Sequence, residues 1–363
     1  MAGVPWRLGH RPGLDGLRAI AVSLVVASHL AIPFALGGGI GVDIFFVLSG
    51  FLITALLLEE RQRYGSVNYL AFYQRRALRL FPALALLLPI IAMAAHLDPT
   101  IDAGIADQTT HGLPWVIFYA GNWARAFGIQ IGLFGHTWSL AIEEQFYLVW
   151  PVALAVLLGR GVRLRRAIVV CLALAGVVAF DRAVAWLGGA GVDRVSNGTD
   201  MRADALLVGC ALALALHAGI RVRTPAVLTL LAAGFLAWVV ATQSAFSTFV
   251  YVGGLTGSAV ASAVVILALL QAPTALSWRP LVALGRISYG VYLWHFPIVF
   301  LVPLRWRLEI RVIVIVTITL AIATASWWLV ERRFLRLKPP RGSAPDRAGQ
   351  QREPMLGRTG EAG

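Results

Sequence analysis

The sequence is poor in charged residues and in cysteine. Only 13% of its 363 residues are Asp, Glu, Lys or Arg, whereas soluble domains carry about 25%. This deficit, together with 58% hydrophobic residues and a mean hydropathy of +0.75, excludes an ordinary soluble protein and indicates an integral membrane protein. The two cysteines, Cys171 and Cys210, lie in separate apolar runs without a CxxC spacing. We interpret them as small core residues and predict neither a disulfide nor a metal site.

Acidic residues are scarce relative to basic ones. The chain has 18 Asp and Glu against 31 Lys and Arg, which gives a net charge of +13. In a soluble protein this excess would suggest nucleic-acid binding. Here the arginines lie in short segments between apolar runs, so membrane topology explains them and we expect no nucleic-acid partner.

Apolar runs of about 20 residues, the length that crosses a bilayer, recur along the chain. The first run follows several arginines and resembles a signal peptide, but it is long and is followed at once by another run, so we interpret it as a retained helix. The pattern predicts about ten transmembrane helices, at residues 17–36, 39–58, 77–95, 138–158, 167–187, 203–218, 226–242, 251–270, 287–304 and 312–330.

The connecting segments alternate in charge. Positive-inside orientation then places both chain ends in the cytoplasm, although the arginine-rich segment 305–311 breaks the alternation. The arginine-rich segments are 1–16, 59–76, 159–166, 219–225, 271–286 and 331–341, and the arginine-poor ones are 96–137, 188–202 and 243–250.

The predicted fold class is therefore an all-α polytopic membrane protein with cytoplasmic termini. We divide it into a cytoplasmic segment at 1–16, a transmembrane domain at 17–338 and a disordered cytoplasmic tail at 339–363, where Pro, Gly, Arg and Glu replace the apolar pattern. Segment 113–123, LPWVIFYAGNW, is too short to span, and we expect it to lie at the interface or to re-enter the membrane.

Arg18 and His29 are ionisable residues of the first predicted span. Eleven residues make about three helical turns, so both side chains share one helix face, about 16 Å apart along the axis. Arg18 is either an anchor that reaches the headgroups or part of a site. His29 is either bonded to a neighbouring helix or functional, and intramembrane ionisable groups usually mark functional sites.

Three arginines, Arg75, Arg76 and Arg79, lie at the predicted cytoplasmic end of the third span. Topological anchoring alone would explain them. Arg76 and Arg79 are three residues apart and share a helix face, and guanidinium groups suit phosphates. Beside Arg18 they would form a phosphate-binding site.

Two adjacent carboxylates, Glu143 and Glu144, lie in the fourth predicted span. Neighbouring helical residues point about 100° apart, so the two cannot share one role. If the helix starts near Trp138, Glu143 lies about 8 Å inside the outer face, at a depth where it could meet His29. The alternative is that both carboxylates are structural.

Further polar residues lie near the ends of other spans. Asp43 could orient a histidine or cap its helix, and Arg202 lies at the outer start of the sixth span. Tyr292 and His295 are three residues apart on the ninth span and roughly co-facial, although Tyr292 could equally be a packing residue.

The stretches LDGLRAIAVSLVVASHL, GVDIFFVLSGFLIT, RRALRLFPAL, WSLAIEEQFYLVWP and SYGVYLWHFPI resemble, in order, the motifs of the membrane-bound acyltransferase-3 family. Its members O-acylate sugars, polysaccharides and some antibiotics. The resemblance covers residues 14–335. Many members also carry an extracytoplasmic SGNH hydrolase-like domain, and we expect this chain to have none.

The resemblance implies roles for individual residues. Arg18 and His29 match the arginine–ten residues–histidine motif, whose histidine is taken as essential for acyl transfer. Arg76 and Arg79 match the RxxR motif associated with acyl-CoA binding, and Glu143 and Glu144 match the acidic stretch of the fourth span.

These implications predict an O-acyltransferase of a bacterial plasma membrane that moves an acyl group, with acetyl the commonest, from cytoplasmic acyl-CoA to a sugar, glycan or glycosylated product. Catalytic candidates are His29, Glu143, Glu144 and Asp43; donor-binding candidates are Arg18, Arg75, Arg76 and Arg79; further site candidates are Arg202, Tyr292 and His295. No metal is expected. His29 acts either as a general base or as a nucleophile that forms an acyl-histidine. The alternative function is a transporter in which His29 and the two glutamates form a proton relay.

Overall fold

A computed structural model describes residues 6–272 and 274–340, and the regular structure within these ranges is entirely helical. The predicted disordered tail lies almost wholly outside the described residues. The α-helices are α1 (Pro12–His29), α2 (Ile40–Tyr64), α3 (Tyr69–Leu97), α4 (Ala103–Ile117), α5 (Gly121–Ala126), α6 (Trp138–Gly159), α7 (Leu164–Leu187), α8 (Val192–Asn197), α9 (Thr199–His217), α10 (Ala226–Thr242), α11 (Leu255–Gln271), α12 (Arg279–Arg286), α13 (Ser288–Leu301), α14 (Leu308–Ser326) and α15 (Arg332–Leu335).

Each of the ten predicted spans falls on an α-helix, and six helical stretches are long and apolar enough to cross a membrane. The other four spans fall on α1, α9, α10 and α13. Of these, α10 is apolar but has 17 residues, and α13 has 14. The six stretches are Leu36–Tyr64, Tyr69–Leu97, Gly132–Gly159, Leu164–Leu187, Val250–Gln271 and Leu308–Leu335.

The first helix ends earlier than predicted. It stops at His29 instead of continuing to residue 36. Ala31 adopts a left-handed φ of 53°, and the Ile32 N–H donates to the Ala27 carbonyl at 3.1 Å, which is the reversal that closes many helix ends. Pro33 then prevents continuation. His29 is therefore the last helical residue, and its side chain is exposed.

Helices α2 and α9 pack closely because glycines face each other across their contact. A methyl group added at Gly50 would lie 2.0 Å from the carbonyl oxygen of Leu206, and one at Gly209 would lie 2.1 Å from that of Val47. Small residues at such crossings let helix backbones approach in a membrane. This contact fixes the helix that carries Arg202 beside the helix that carries Asp43.

The long connection between α3 and α6 folds into two short helices and a turn. Residues 113–123 form the end of α4, a turn at Tyr119 with φ of 51°, and the beginning of α5. The side-chain hydroxyl of Thr109 accepts a hydrogen bond from the Leu133 N–H at 3.0 Å. This bond ties α4 to the 3-10 turn Gly132–Thr137, so the segment that leads into α6 is held in place.

Candidate functional site

A cavity of about 620 Å³ lies between α1, α2, α3, α6 and α13. On α2 its lining runs from Val42 to Glu59, which corresponds to about 26 Å along the helix axis. The polar and ionisable residues of the lining are Arg7, His10, Arg18, Ser49, Glu59, Arg76, Arg79, Ser139, Glu143, Tyr147, Ser288, Tyr289 and Tyr292.

The structure brings Arg18, Arg76 and Arg79 together in this cavity, as predicted. The Arg76 guanidinium carbon lies 3.4 Å from the centroid of the Tyr147 ring. Arg18 points into the bundle, where its Nε atom is buried without a hydrogen-bond partner in the described part of the chain. Three guanidinium groups around one cavity create a strong attraction for anions.

Arg75 lies outside this cluster, so its predicted grouping with the other three arginines is wrong. Its Nη2 atom donates to the carboxylate of Glu60 at 3.0 Å. Adjacent residues on α3 point about 100° apart, and Arg75 is therefore turned toward the end of α2 when Arg76 faces the cavity.

The two glutamates face different neighbours, as their adjacent positions on one helix predicted. Glu143 lines the cavity and accepts hydrogen bonds from the Ser49 hydroxyl at 3.0 Å and the Tyr147 hydroxyl at 3.2 Å. Glu144 pairs with Arg76 at 3.6 Å. The predicted meeting of Glu143 with His29 is wrong, because the hydrogen bonds of the two side chains lead to different neighbours.

Tyr292 and Ser139 also line the cavity. Their hydroxyl oxygens are 2.6 Å apart, and the Tyr292 hydroxyl also lies 2.7 Å from the backbone carbonyl of His136. Tyr292 is thus more than a packing residue. Its hydroxyl lines the cavity, while its backbone belongs to the histidine cluster described next.

Three histidines meet next to Tyr292: His29, His136 and His295. The Nδ1 atom of His29 lies 3.3 Å from Nε2 of His295, and the rings of His136 and His295 have centroids 5.7 Å apart. Phe296 packs edge-on against His29 and stacks on His136, with centroid separations of 5.0 and 4.9 Å. His136 and His295 are buried, whereas His29 is exposed.

Backbone carbonyls determine where the protons of the neutral rings lie. Nδ1 of His29 is 2.9 Å from the Val25 carbonyl oxygen, and Nδ1 of His295 is 2.7 Å from that of Tyr292. A carbonyl oxygen only accepts, so both Nδ1 atoms carry the proton and both Nε2 atoms keep a lone pair. The single Nδ1–H of His29 is shared between the Val25 carbonyl at 2.9 Å and the Nε2 lone pair of His295 at 3.3 Å. Within the described residues, the Nε2 lone pair of His29 has no hydrogen-bond partner.

The sequence analysis did not single out His136. Its Nε2–H donates to the Leu293 carbonyl at 3.1 Å, and its Nδ1 atom is buried without a partner in the described part of the chain. The available signal was its position: it precedes Trp138 in the same stretch as the two glutamates. It lies just before the helix starts, where a histidine resembles an ordinary loop residue.

Asp43 neither orients a histidine nor caps its helix, so both predicted roles are wrong. The N-terminus of α2 has no side-chain cap, and Asp43 instead forms a buried salt bridge with Arg202 at 2.9 Å. Arg202 lies over the ring of Trp138, 5.3 Å from its centroid. A second buried pair, Arg182 with Asp204 at 2.9 Å, lies on α7 and α9. Both pairs join helices to one another.

The histidine cluster does not have the geometry of a metal centre. Throughout residues 6–272 and 274–340, no group of three or more His, Cys, Asp or Glu side chains is placed to hold a metal ion. The cluster is instead a set of hydrogen-bonding rings at the end of a cationic cavity.

A helical membrane domain with an arginine-lined cavity and an adjacent histidine cluster belongs to the class of integral membrane proteins built around an internal polar site. Residues 11–332 match the sequence model described as the acyltransferase domain. The chain therefore belongs to the acyltransferase-3 family.

Curated relatives support this assignment. The chain is 37% identical over 332 residues to YrhL of Bacillus subtilis (strain 168), covering 83% of this chain and 52% of YrhL. It is 36% identical over 330 residues to the peptidoglycan O-acetyltransferase OatA of Listeria monocytogenes (83% and 52%) and 34% identical over 318 residues to the O-acetyltransferase OatA of Staphylococcus aureus (80% and 51%). The chain thus spans about half the length of the curated relatives it matches. No solved structure matches it significantly.

Proposed function

We propose that this protein is a membrane O-acyltransferase that moves an acetyl group from acetyl-CoA to a hydroxyl of an envelope carbohydrate. The observation that carries the proposal is the arrangement of a cationic cavity next to a histidine whose Nε2 atom is free. In this proposal ten helices cross the bacterial plasma membrane, both chain ends are cytoplasmic, and the arginine-lined end of the cavity opens to the cytoplasm.

The donor side of the proposal rests on charge and shape. CoA carries several phosphate charges and a long, narrow pantetheine arm. Arg18, Arg76 and Arg79 supply three guanidinium groups, and arginine forms strong charge-assisted hydrogen bonds with phosphate. The cavity continues for about 26 Å along α2, so an extended arm can carry the thioester toward Tyr292.

His29 is the proposed general base. Its free Nε2 atom takes the proton of the acceptor hydroxyl as the oxygen attacks the thioester carbonyl. A carbon–oxygen bond forms, and the carbon–sulfur bond breaks from the tetrahedral intermediate. The proton then passes from the imidazolium to the departing CoA sulfur. An acyl-histidine intermediate on the same Nε2 atom remains the variant of this mechanism.

His295 is the proposed orienting residue for His29, a role that the sequence analysis considered for Asp43. The Nε2 lone pair of His295 faces the Nδ1–H of His29 at 3.3 Å. It holds the His29 ring in the orientation that keeps Nε2 free and accepts the shared hydrogen bond more strongly when His29 becomes positively charged. The Tyr292 side chain lies between the cavity and the two histidines. A change in its rotamer would let the thioester in the cavity reach His29.

The carbohydrate side of the proposal rests on two observations. His29 is exposed at the end of α1 opposite Arg18, so an acceptor can approach from the other side of the bundle. The relatives in Listeria and Staphylococcus are named as O-acetyltransferases, and the former as acting on peptidoglycan. A cell-wall glycan is therefore the acceptor class we propose.

The test uses purified protein in proteoliposomes with acetyl-CoA and a soluble peptidoglycan fragment. Release of free CoA thiol and acetylation of the glycan, measured by mass spectrometry, should rise together. His29→Ala should abolish both. His111→Ala is the matched control, because His111 is exposed on α4 and bonds only its own helix through the Asp107 carbonyl.

Two outcomes would overturn the proposal. Wild-type turnover by the His29→Ala variant would show that His29 is not the general base. Net movement of a substrate or of protons across the membrane, without loss of thioester, would identify the transporter instead. A burst of CoA release in the absence of acceptor would select the acyl-histidine variant of the mechanism.

A further inference from the structure

The N-terminal strap, residues 6–11, runs across the arginine-lined end of the cavity. Arg7, Leu8, Gly9 and His10 all contribute to the cavity lining. Gly9 has a left-handed φ of 59°, a conformation that favours glycine and turns the strap. The strap belongs to no motif used in the sequence analysis.

Trp6 and Leu8 attach the strap to the bundle, and one further hydrogen bond lies within the strap. The Trp6 ring packs edge-on against Phe51 and His217, with centroid separations of 6.1 and 5.0 Å. The Leu8 N–H donates to the carboxylate of Glu59, and the Leu8 carbonyl accepts from Nε of Arg11 at 2.8 Å. Backbone and side chains on both sides of Arg7 are therefore fixed, although Arg7 itself is exposed.

Arg7 is a cation in the cavity wall, whose lining also includes the Glu59 carboxylate. Within the described residues its guanidinium forms no salt bridge, whereas Arg75 and Arg76 pair with Glu60 and Glu144. Its position on the strap is separate from the deeper group of Arg18, Arg76 and Arg79. The cavity thus offers cationic groups at two levels, one in its interior and one at its rim.

We propose that the strap binds the nucleotide end of the donor, with Arg7 pairing with the phosphate on its ribose. This inference rests on the proposed function, in which acetyl-CoA is the donor. A donor with only a pantetheine arm would occupy the interior and leave the rim empty. A nucleotide thioester, in contrast, has an anionic group at each level, so the strap would favour CoA esters over acyl groups carried on pantetheine alone.

The test compares donors that differ only at the nucleotide end. Acetyl-CoA, acetyl-dephospho-CoA and S-acetylpantetheine are each titrated with wild-type protein and with Arg7→Ala, in proteoliposomes with a fixed peptidoglycan fragment. We expect Arg7→Ala to raise KM for acetyl-CoA about tenfold with little change in kcat, since hydrogen bonds between charged groups are the strong ones. The ratio of KM for acetyl-CoA to KM for acetyl-dephospho-CoA should rise by the same factor.

Arg165→Ala is the matched control, because Arg165 is an exposed arginine of α7 that lies outside the cavity lining. It should leave the KM ratio at the wild-type value. An Arg7→Ala variant that weakens all three donors equally, or none, overturns the role of the strap.

Binding of 3′,5′-ADP to wild-type protein, measured by calorimetry, separates this failure from failure of the proposed function. If the nucleotide and acetyl-CoA both bind but Arg7→Ala binds them as tightly as wild type, only the strap is ruled out. If the wild-type protein neither binds 3′,5′-ADP nor consumes acetyl-CoA, the donor assignment and the strap both fail.

Discussion

His29 and His295 are in direct contact although 266 residues separate them in the chain. Nδ1 of His29 lies 3.3 Å from Nε2 of His295, and the Tyr292 carbonyl fixes the proton of His295 on its other nitrogen. The contact joins the end of α1 to the middle of α13. It gives the proposed base a hydrogen-bond acceptor without a carboxylate.

Replacing His295 tests this relationship. His295→Phe keeps a ring but removes the acceptor, and kcat should fall about 10- to 100-fold, which is less than or equal to the smallest effect, about 10²-fold, expected from losing the general base itself. KM for acetyl-CoA should change little. His295→Gln retains an acceptor and should recover part of kcat. An active Phe variant with wild-type kcat would show that His295 does not position His29.

The neighbouring arginines of α3 should behave differently. Arg79→Ala removes a cation from the cavity and should raise KM for acetyl-CoA roughly 10- to 100-fold, corresponding to about 1.5–3 kcal/mol for a charged hydrogen bond. Arg75→Ala breaks the contact with Glu60 outside the cavity and should leave KM near wild type. Steady-state kinetics of both variants measure the two KM values. Equal increases in KM would contradict the proposal that the cavity binds the donor.

The Asp43–Arg202 pair should act on stability. Asp43→Asn leaves the buried Arg202 charge without its partner, and breaking a buried pair in this way costs about 3–5 kcal/mol. Replacing both residues, as in Asp43→Leu with Arg202→Met, should cost less than the single change. Thermal unfolding in detergent shows which of the two variants is less stable. If Asp43→Asn keeps full thermal stability while losing all turnover, Asp43 is a catalytic residue instead.

The glycine contact between α2 and α9 gives a test of packing. Gly50→Ala places a methyl group 2.0 Å from the Leu206 carbonyl oxygen, and overpacking of this kind costs about 1–3 kcal/mol. Gly176→Ala on α7 is the control, because a methyl group there meets nothing within 4 Å. The melting temperature in detergent should fall for Gly50→Ala only. Equal melting temperatures would mean that the helices can separate without cost.

Periodic and local features of the sequence predicted much of the architecture. Each of the ten apolar runs falls on a helix, and six of these helices are long and apolar enough to cross a membrane, as expected where backbone groups must be satisfied within lipid. The shared face of Arg76 and Arg79 followed from helical spacing, and the cavity confirms it. The end of α1 was missed because a left-handed Ala31 has no strong sequence signal.

Contacts between distant segments were the part that sequence reasoning could not supply. Depth along two helices suggested that Glu143 meets His29, but depth does not fix rotation, and Glu143 turns to Ser49 and Tyr147. Asp43 pairs with Arg202, which lies 159 residues later in the chain. His136 joins the histidine cluster through a turn that precedes the span predicted at residues 138–158. Each of these depends on how helices are rotated and packed.

The early end of α1 affects how much acetyl-CoA the proposed reaction would lose to hydrolysis. Because the helix stops at His29 and leaves that side chain exposed, water as well as a sugar hydroxyl would reach the proposed base. Acetyl-CoA loaded without an acceptor would then be lost to hydrolysis. The amount of acetylated glycan formed per acetyl-CoA consumed would depend on how well the glycan shields His29 from water. A poorly fitting sugar would therefore increase hydrolysis of the donor as well as slow the transfer.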